Sequence, residues 1–360
     1  MTRCDSFLSV ISLVSCFFSG SSRAQTSEAV TLTFEPSIPL IEHRDGRQLL
    51  NFDLAVANHG VHRWRLTEIE ISVFDSAGKL VIRKAVNSNG LAPGIDAVAN
   101  PRLRPDETVN IFNPFYSLAE EVPVGRLEYV LRFQHEENAR QLGRNEHRLP
   151  MDYDLEVRAQ VIPRDYQTKT SLILPLAGRA FVWDGHDFYS HHRRIPLDSA
   201  KVRQLGILAN SNRYGADLGL MDEQGRLWHD DPYDKRNWYT YGADPELGNY
   251  VLIDHGNGEF SVFPHMIPGS VVVKTGDLVE QGDRVGRVGF SGDALFPHVH
   301  YALLGGAEIS RSEGVPAYFT RFRRLLGGKA IDVKLGSLDS GDIVESTVQY
   351  PQEAGQAAVD

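Results

Sequence analysis

Short runs of alternating apolar and polar residues, separated by turn residues, recur along residues 30–176. In "EIEISVFDSAGKLVIRKAV" (residues 68–86), two such runs flank Asp75-Ser-Ala-Gly78, a sequence typical of a β-hairpin turn. Short strands at this spacing favour two antiparallel sheets packed face to face. The sequence therefore predicts a mainly β protein, in which residues 30–176 form an antiparallel, Ig-like β-sandwich that serves as an accessory domain.

A second domain is indicated from residue 177, where the composition shifts toward His, Tyr, Trp, Asp and Gly. The chain has 360 residues, 42% of them hydrophobic, which is enough for two cores. We expect this domain to cover residues 177–335, with a short helix at residues 316–326 that ends before Gly327-Gly328. The polar and acidic residues 336–360 are expected to form a loose tail.

The N-terminus has the pattern of a secretory signal. Arg3 precedes an apolar run, and Ser22-Arg-Ala24 fits the small-x-small rule for cleavage after Ala24. Both cysteines, Cys4 and Cys16, lie within residues 1–24, so the processed protein would have no disulfide. As an alternative, Leu13-Val-Ser-Cys16 resembles a lipoprotein signal, which would lipidate Cys16. Either route predicts an exported protein in the periplasm or cell envelope.

Charge and hydropathy argue against two classes of partner. A formal net charge of -10 is opposite to the basic surface expected of a nucleic-acid-binding protein. Beyond the N-terminal signal, no apolar run approaches the roughly 18 residues that a membrane-spanning helix requires. We therefore expect neither nucleic-acid binding nor a transmembrane helix.

The stretch "FPHVHYALL", residues 296–304, places two histidines one residue apart in an apolar run. In a strand, His298 and His300 would project from the same face, because residues two apart point the same way. This pattern fits an ordinary polar strand face, and it also fits a metal site, since neutral imidazole is the commonest metal ligand in proteins. A catalytic zinc site needs three protein ligands, so further ligands must come from other strands.

Candidates for the remaining positions lie in three other segments. Asp217 interrupts a short apolar segment, where a lone carboxylate is costly unless it is paired or coordinated. His265 ends the expected strand "EFSVFPH" and would lie at the rim of a sheet. His191 and His192 are adjacent and would face opposite ways in an extended chain, so we expect only one of them to be a ligand.

Two of these segments resemble the LytM/lysostaphin-type zinc metallopeptidases. In "GDLVEQGDRVGRVGFSGDALFPHVHYAL", residues 276–303, the family's Gly-Asp-x-Val-x-x-Gly element is followed by Pro-His-x-His and an aromatic residue. "GNYVLIDHGNGEFSVFPH", residues 248–265, resembles the hairpin that precedes them. The resemblance implies an antiparallel β-sheet peptidase domain that binds one Zn²⁺ per chain and cleaves peptide cross-links in peptidoglycan.

The resemblance also implies roles for individual residues. His300 matches the zinc ligand of the Pro-His-x-His element, and Asp217, in "NRYGADLGL", matches the aspartate ligand. His298 and His265 match the two catalytic histidines. The first ligand histidine usually lies four residues before the aspartate, where this chain has Arg213. Members with a longer loop carry it upstream, and "YSHHRR" fits that variant, with His191 as the expected ligand and His192 as the alternative.

One family element is missing from the sequence. After the aspartate strand, the family has a segment of the type Pro-Val-x-Ala-Pro-x-x-Gly-x-Val, whereas here the chain runs from Ala243 almost directly into the hairpin. Loss of a supporting segment can loosen ligand geometry. The missing segment therefore favours an alternative function, in which the protein is a non-catalytic family member. Such a protein would bind peptidoglycan, or would regulate another cell-wall hydrolase as its partner in the cell envelope.

Overall fold

The computed structural model describes residues 24–25, 29–90, 92–95, 98, 101–137, 153–222, 224–227, 244 and 246–348. The predicted signal segment, except Ala24, lies outside the described residues, as do residues 349–360. So do residues 228–243, where the family segment was expected to be missing. Within the described part of the chain, no helix is long and apolar enough to cross a membrane.

The described strands before residue 167 are short and mostly antiparallel. They are β1 (Ala24–Gln25), β2 (Val30–Glu35), β3 (Leu40–Arg44), β4 (Arg47–Leu49), β5 (Asp53–Asn58), β6 (Trp64–Phe74), β7 (Leu80–Asn87), β8 (Arg102–Leu103), β9 (Thr108–Phe112), β10 (Ser117–Ala119), β11 (Arg126–His135), β12 (Leu155–Val161) and β13 (Arg164–Tyr166).

Two of the sheets formed by these strands enclose one apolar core. One sheet has the order β1-β12-β11-β6-β7, with β8 paired to β6, and the other has the order β2-β5-β9. The inward side chains of both contribute to a single buried cluster, which includes Leu54, Ile71 and Tyr129. This half is therefore built from antiparallel sheets around a shared core, as predicted, while its Ig-like character stays a prediction. A third sheet, β10-β4-β3-β13, includes one parallel pair, β3 with β13.

The predicted turn at Asp75 connects β6 to β7. The backbone N–H of Asp75 donates to the carbonyl of Lys79 over 3.0 Å, and the Asp75 carboxylate accepts from the N–H groups of Ala77 and Lys79. Gly78 has φ of 79°, a conformation that glycine adopts without steric cost. The local sequence thus contained enough information to place this turn.

The elements after residue 171 surround a second core. They are β14 (Leu172–Ile173), β15 (Arg179–Asp184), a 3₁₀ turn (His192–Arg194), α1 (Ala200–Gln204), β16 (Ala216–Met221), β17 (Asn249–Asp254), β18 (Phe260–Met266), β19 (Val299–Leu304), a second 3₁₀ turn (Ile309–Arg311), β20 (Phe319–Thr320), β21 (Phe322–Leu326), β22 (Lys329–Val333) and β23 (Ile343–Ser346).

Eight of these strands form one sheet with the order β17-β18-β19-β16-β15-β23-β21-β22, and every described neighbouring pair is antiparallel. β14 and β20 pair separately in parallel. The predicted antiparallel β-sheet domain is therefore present, and its central strands β18, β19 and β16 carry three of the candidate site segments.

Two expectations about the C-terminal part were wrong. Residues 319–326 form β20 and β21 instead of a helix, because β21 is hydrogen-bonded between β22 and β23 and Phe322 is buried. Residues 336–348 are not a loose tail, since β23 lies between β15 and β21 in the main sheet and Val344 is fully buried. In both places, strand pairing with residues outside the segment overrides the local pattern.

Candidate metal centre

The register of three neighbouring strands assembles the centre of the site. Asp217 on β16 lies directly opposite His300 on β19, and on its other side it lies opposite Asp184 at the end of β15. Directly opposed residues in an antiparallel pair project from the same face of the sheet. Two carboxylates and an imidazole therefore lie side by side across the sheet, although they come from distant parts of the sequence.

Asp217 is the centre of the cluster and is only 5% exposed. Its Oδ1 lies 2.8 Å from His300 Nδ1 and 3.2 Å from His298 Nε2, and its Oδ2 lies 3.5 Å from His192 Nε2. Burial by itself raises the pKa of a carboxyl group, but the contacts with His298 and His300 hold the pKa of Asp217 well below its usual value. Asp217 is therefore an anion in a largely enclosed site.

The structure brings His192, rather than His191, to Asp217 and His300. The His192 side chain is 5% exposed, whereas the His191 side chain is 70% exposed. His191 precedes the 3₁₀ turn His192–Arg194. The two rings do not face opposite ways, because their centres lie 4.1 Å apart and both Nδ1 atoms contact Asp184 Oδ2. The preference for His191 over His192 in the sequence analysis is therefore not supported by the geometry, because His191 Nδ1 contacts Asp184 at the surface instead.

Asp184 anchors the loop that carries both histidines. Its carboxylate accepts hydrogen bonds from Ser190 Oγ at 2.7 Å and from the backbone N–H groups of His191 and His192. The Nδ1 atom of His192 lies 2.8 Å from Asp184 Oδ2 without hydrogen-bond geometry, and its Nε2 lies 3.5 Å from Asp217 Oδ2. This carboxylate–histidine arrangement is common around protein-bound metals, where it fixes the tautomer and orientation of the ligand.

His265 and His298 are each fixed by a backbone carbonyl. His265 Nδ1 donates to the carbonyl of Ser291 over 2.9 Å, and His298 Nδ1 donates to that of Phe296 over 2.7 Å. A neutral imidazole whose Nδ1 carries the proton has a free lone pair on Nε2. The rings lie 5.2 Å apart, and both are within 6.3 Å of the His300 ring. Two potential proton acceptors therefore lie beside the Asp217 cluster.

The backbone around His265 is unusual. His265 has φ of 63°, which is uncommon for a residue with a side chain and is often found at functional sites. Gly289 packs so closely against it that an added Cβ would lie 2.4 Å from the His265 carbonyl oxygen. Burial, followed by the neighbouring His300 and His298, lowers the pKa of His265 to about 3. His265 is thus held as a neutral ring in a tightly defined position.

The donor set fits a divalent cation of the zinc type. One donor atom each from His192, Asp217 and His300 lies within 4.8 Å of the others, and all three residues are buried. His298 Nε2 lies 3.2 Å from Asp217 Oδ1, so a further imidazole nitrogen borders the same carboxylate. Two imidazoles with one carboxylate is a ligand set that suits catalytic zinc.

Comparisons with known proteins identify the region that carries these strands. Residues 238–310 match the model of Peptidase family M23. The chain therefore contains a LytM-type, family M23 peptidase domain.

Two curated peptidases from Vibrio cholerae serotype O1 share sequence with the M23 domain. Peptidoglycan DD-endopeptidase ShyA is 40% identical over 60 residues, and peptidoglycan DD-endopeptidase ShyC is 40% identical over 57 residues. These alignments cover 17% and 16% of this chain, and 14% and 13% of the relatives. The matched family segment contains His265, His298 and His300, whereas His192 and Asp217 lie before it.

Arg213 occupies the usual ligand position of the M23 family but has a different role here. Its fully buried guanidinium donates to Asp53 on β5 and to Glu313, each over 2.9 Å. The residue therefore links the elements after residue 171 to the N-terminal sheets. His192, from the loop that precedes Arg213, places its imidazole beside Asp217 instead, with Nε2 3.5 Å from Asp217 Oδ2.

Sequence reasoning missed two polar residues that support the M23 site. Asp184 ends the strand β15, whose preceding residues are mostly apolar. A carboxylate at the end of such a strand could have indicated a polar site there. Asn212 Oδ1 lies 3.2 Å from His300 Nε2, and if it accepts that proton, Nδ1 of His300 is left unprotonated toward Asp217. Nothing in the sequence near Asn212 distinguishes it from a turn residue.

Proposed function

We propose that the protein is an exported zinc metallopeptidase that hydrolyses peptide cross-links of peptidoglycan. The observation that carries the proposal is the buried group of His192, Asp217 and His300, with His265 and His298 beside it. We assign the first three as the ligands of one Zn²⁺, with His192 in place of the originally expected His191. The last two are assigned as the catalytic histidines.

His192, Asp217 and His300 would hold Zn²⁺, whose chemistry when bound would be to polarise the scissile carbonyl and to lower the pKa of a water molecule. The protein's own residues then have to position the substrate and move protons. His265 and His298 are suited to this task because a hydrogen bond from Nδ1 to a backbone carbonyl fixes each ring beside the proposed ligands. One of them would accept a proton as general base, and the other would donate to the developing oxyanion after protonation.

Peptidoglycan is proposed as the substrate because the curated relatives are named peptidoglycan DD-endopeptidases. The alignments cover only a small part of those proteins, so the bond that they cleave is carried over only as a proposal. Export is supported by the N-terminal signal pattern, since peptidoglycan lies outside the cytoplasm. N-terminal sequencing of the exported protein should start at Gln25, and a lipidated Cys16 would replace that assignment.

The central test combines metal analysis with digestion of purified peptidoglycan. We expect the protein to bind one zinc per chain and to release soluble peptides, and we expect His300→Ala to lose both properties. His59→Ala, in the N-terminal sheets, is the matched control and should keep both. Full zinc occupancy in wild type with no release above the His300→Ala background would reject the enzyme. It would favour the alternative of a non-catalytic protein that binds peptidoglycan or regulates another hydrolase.

A further inference from the structure

Asp184, His191 and His192 form a second group of metal-ligand residues beside the proposed zinc centre. One donor atom from each of the three lies within 4.8 Å of the others. Two imidazoles with one carboxylate is a donor set that suits zinc and related transition-metal ions. This outer group shares His192 with the zinc centre, but Asp184 and His191 have no part in the ligand set assigned above.

Both rings of the outer group turn the same nitrogen to the same carboxylate oxygen. Nδ1 of His191 lies 2.9 Å from Asp184 Oδ2, and Nδ1 of His192 lies 2.8 Å from it. The donor atoms around a tetrahedral zinc ion lie roughly 3.3 Å apart, which follows from zinc–ligand bonds of about 2.0–2.1 Å. Each contact therefore has to widen by only about half an ångström to admit an ion.

Nδ1 of His192 is the atom that points most directly to a ligand. The side chain is only 5% exposed, and this nitrogen is buried without a hydrogen-bond partner among the described residues. Buried polar atoms are nearly always paired, and an unpaired one is explained in many proteins by an ion or a water molecule. A cation held jointly with Asp184 would satisfy this nitrogen.

The Asp184 carboxylate is fixed in place without the help of either ring. Ser190 Oγ donates to it over 2.7 Å, and the backbone N–H groups of His191 and His192 donate over 3.3 and 3.2 Å. Among the described residues, no lysine or arginine lies within ion-pair distance of this carboxylate. The outer group therefore offers a positioned negative charge that no permanent cation neutralises.

The outer group is open to solvent on one side. The side chain of His191 is 70% exposed, whereas those of Asp184 and His192 are 13% and 5% exposed. An ion therefore reaches Asp184 past His191, without entering the zinc centre, whose ligands are all buried. Water and salt screen charges near the surface more than buried charges. We therefore expect the outer group to bind its ion more weakly than the zinc centre does.

His192 couples the two groups through its ring. Nδ1 faces Asp184, and Nε2 lies 3.5 Å from Asp217 Oδ2. A neutral imidazole has one nitrogen with a lone pair and one with a proton. When Nε2 holds an ion in the zinc centre, Nδ1 carries the proton and is no longer a ligand for the outer group. When Nδ1 holds the outer ion, the zinc centre loses one of its three ligands.

We propose that Asp184, His191 and His192 form a second, weaker site for a divalent transition-metal ion, which competes with the zinc centre for His192. Binding of the outer ion does not depend on the function proposed above, whereas the competition rests on the zinc centre assigned there. The two ions weaken each other's binding by the same factor, because coupling between two binding sites is reciprocal. Excess zinc is therefore an inhibitor of the zinc-loaded protein.

The outer site is tested by titration calorimetry with Zn²⁺ on the full chain carrying His300→Ala, which is expected to lack the first zinc. One ion per chain should bind with a dissociation constant below about 1 mM. Adding His191→Ala should weaken this binding by about tenfold or more, since loss of a ligand costs at least as much as loss of a residue that orients one. The absence of binding, or binding that His191→Ala leaves unchanged, would overturn the proposal.

His43→Ala is the matched control. His43 is a 36% exposed imidazole whose nitrogens contact the carboxylates of Glu120 and Asp165. Adding His43→Ala to the His300→Ala protein should leave zinc binding unchanged within about twofold, as expected of a surface substitution outside the site. A loss equal to that caused by His191→Ala would show that zinc binds surface histidines in general, and it would contradict the assignment.

The competition is tested on wild type that already holds one zinc. This protein should bind a second ion about tenfold or more weakly than His300→Ala binds its ion, because the lone pair of His192 is engaged. Equal affinities would reject the competition. His191→Ala should weaken the second ion further, which provides the test of the outer site if His300→Ala fails to fold.

Peptide release separates this proposal from the proposed function. Excess zinc should lower release by wild type, and it should do so much less in His191→Ala; equal inhibition of the two proteins would reject the competition. Release by a protein whose outer group binds no ion would reject the outer site and leave the peptidase. An ion bound through His191, in a protein that releases nothing, would establish the outer site and reject the peptidase.

Discussion

The interior of the N-terminal sheets is mainly apolar, whereas the interior of the M23 site is formed by charged and polar side chains. In the former, Phe34, Phe52 and Tyr129 pack edge to face, and the buried Tyr129 hydroxyl donates to Asn113 over 2.9 Å. In the latter, Asp217 and His300 are each only 5% exposed and are satisfied by one another. Burying apolar side chains stabilises the fold without hydrogen-bond partners, whereas burying polar side chains costs free energy unless they are paired. The polar cluster is therefore better accounted for by a functional role than by stability.

The two regions meet through buried charges as well as through apolar packing, in which Leu40 of β3 joins the core of the C-terminal sheet. Arg213 connects Asp53 of β5 to Glu313, and Glu42 of β3 contacts His186. Removing one partner of such a pair leaves the other charge buried and unpaired. This destabilises the protein more than replacing both partners with well-packed apolar residues would. The relative position of the regions is therefore sensitive to single residues.

The largest effect is expected when a proton-transfer group is removed from the polar region. His298→Ala and His265→Ala should each lower peptide release by about 10²–10⁴-fold, because general acid–base assistance is worth that much. Zinc should remain bound, since neither residue is assigned as a ligand. The measurement is peptide release per bound zinc, with His59→Ala as control. Loss of zinc in His298→Ala would assign that residue to the metal instead.

Removal of a large side chain from the apolar region should affect stability without affecting chemistry. Phe52→Ala should lower the free energy of unfolding by about 3–5 kcal/mol through lost burial and the cavity that remains. Zinc content and peptide release below the unfolding transition should stay within about twofold of wild type. A much larger loss of release from folded protein would show that the two regions are coupled in activity.

The stability of the metal-free protein should fall as the pH is lowered from about 6.5 to 4. Burial holds the pKa of His265 near about 3 and that of His300 near about 4, so the unfolded state binds more protons in this range. The loss begins below pH 6.5 and reaches about 3 kcal/mol for each histidine near pH 4, since one pKa unit corresponds to about 1.4 kcal/mol. Chemical denaturation at several pH values measures it. An imidazole NMR titration of His265 with a midpoint near 6.5 would contradict the expectation.

Asp184→Asn should weaken zinc binding by about 10–100-fold, because the carboxylate that orients His192 is replaced by a neutral amide. A chelator competition experiment gives the affinity. Asp165→Asn, at an exposed carboxylate that pairs with His43, is the matched control and should leave zinc affinity unchanged. Unchanged affinity in Asp184→Asn would show that the backbone alone holds the loop.

The smallest effect is expected at the exposed neighbour of the proposed ligand. His191→Ala should change zinc affinity by less than about threefold, since its ring is largely exposed and contacts Asp184 and the His192 ring but not Asp217 or His300. His192→Ala should lose most of the zinc in the same competition experiment. The reverse result would restore the original preference for His191.

The sequence by itself determined the local features of this protein. Alternation and a turn sequence were enough for the β6–β7 hairpin, because both depend on a few adjacent residues. The spacing of His298 and His300 placed them on one face, and both contact Asp217 Oδ1 in the structure. The M23 resemblance was carried by segments of this kind.

Only the tertiary structure brings His192 beside Asp217, makes residues 322–326 a strand, and places β23 in the main sheet. Each of these outcomes depends on contacts outside the local segment: Asp217 for His192, β22 and β23 for residues 322–326, and β15 and β21 for β23. Local periodicity is the same whichever distant partner is available, and the free energy of strand pairing and burial is gained only with that partner.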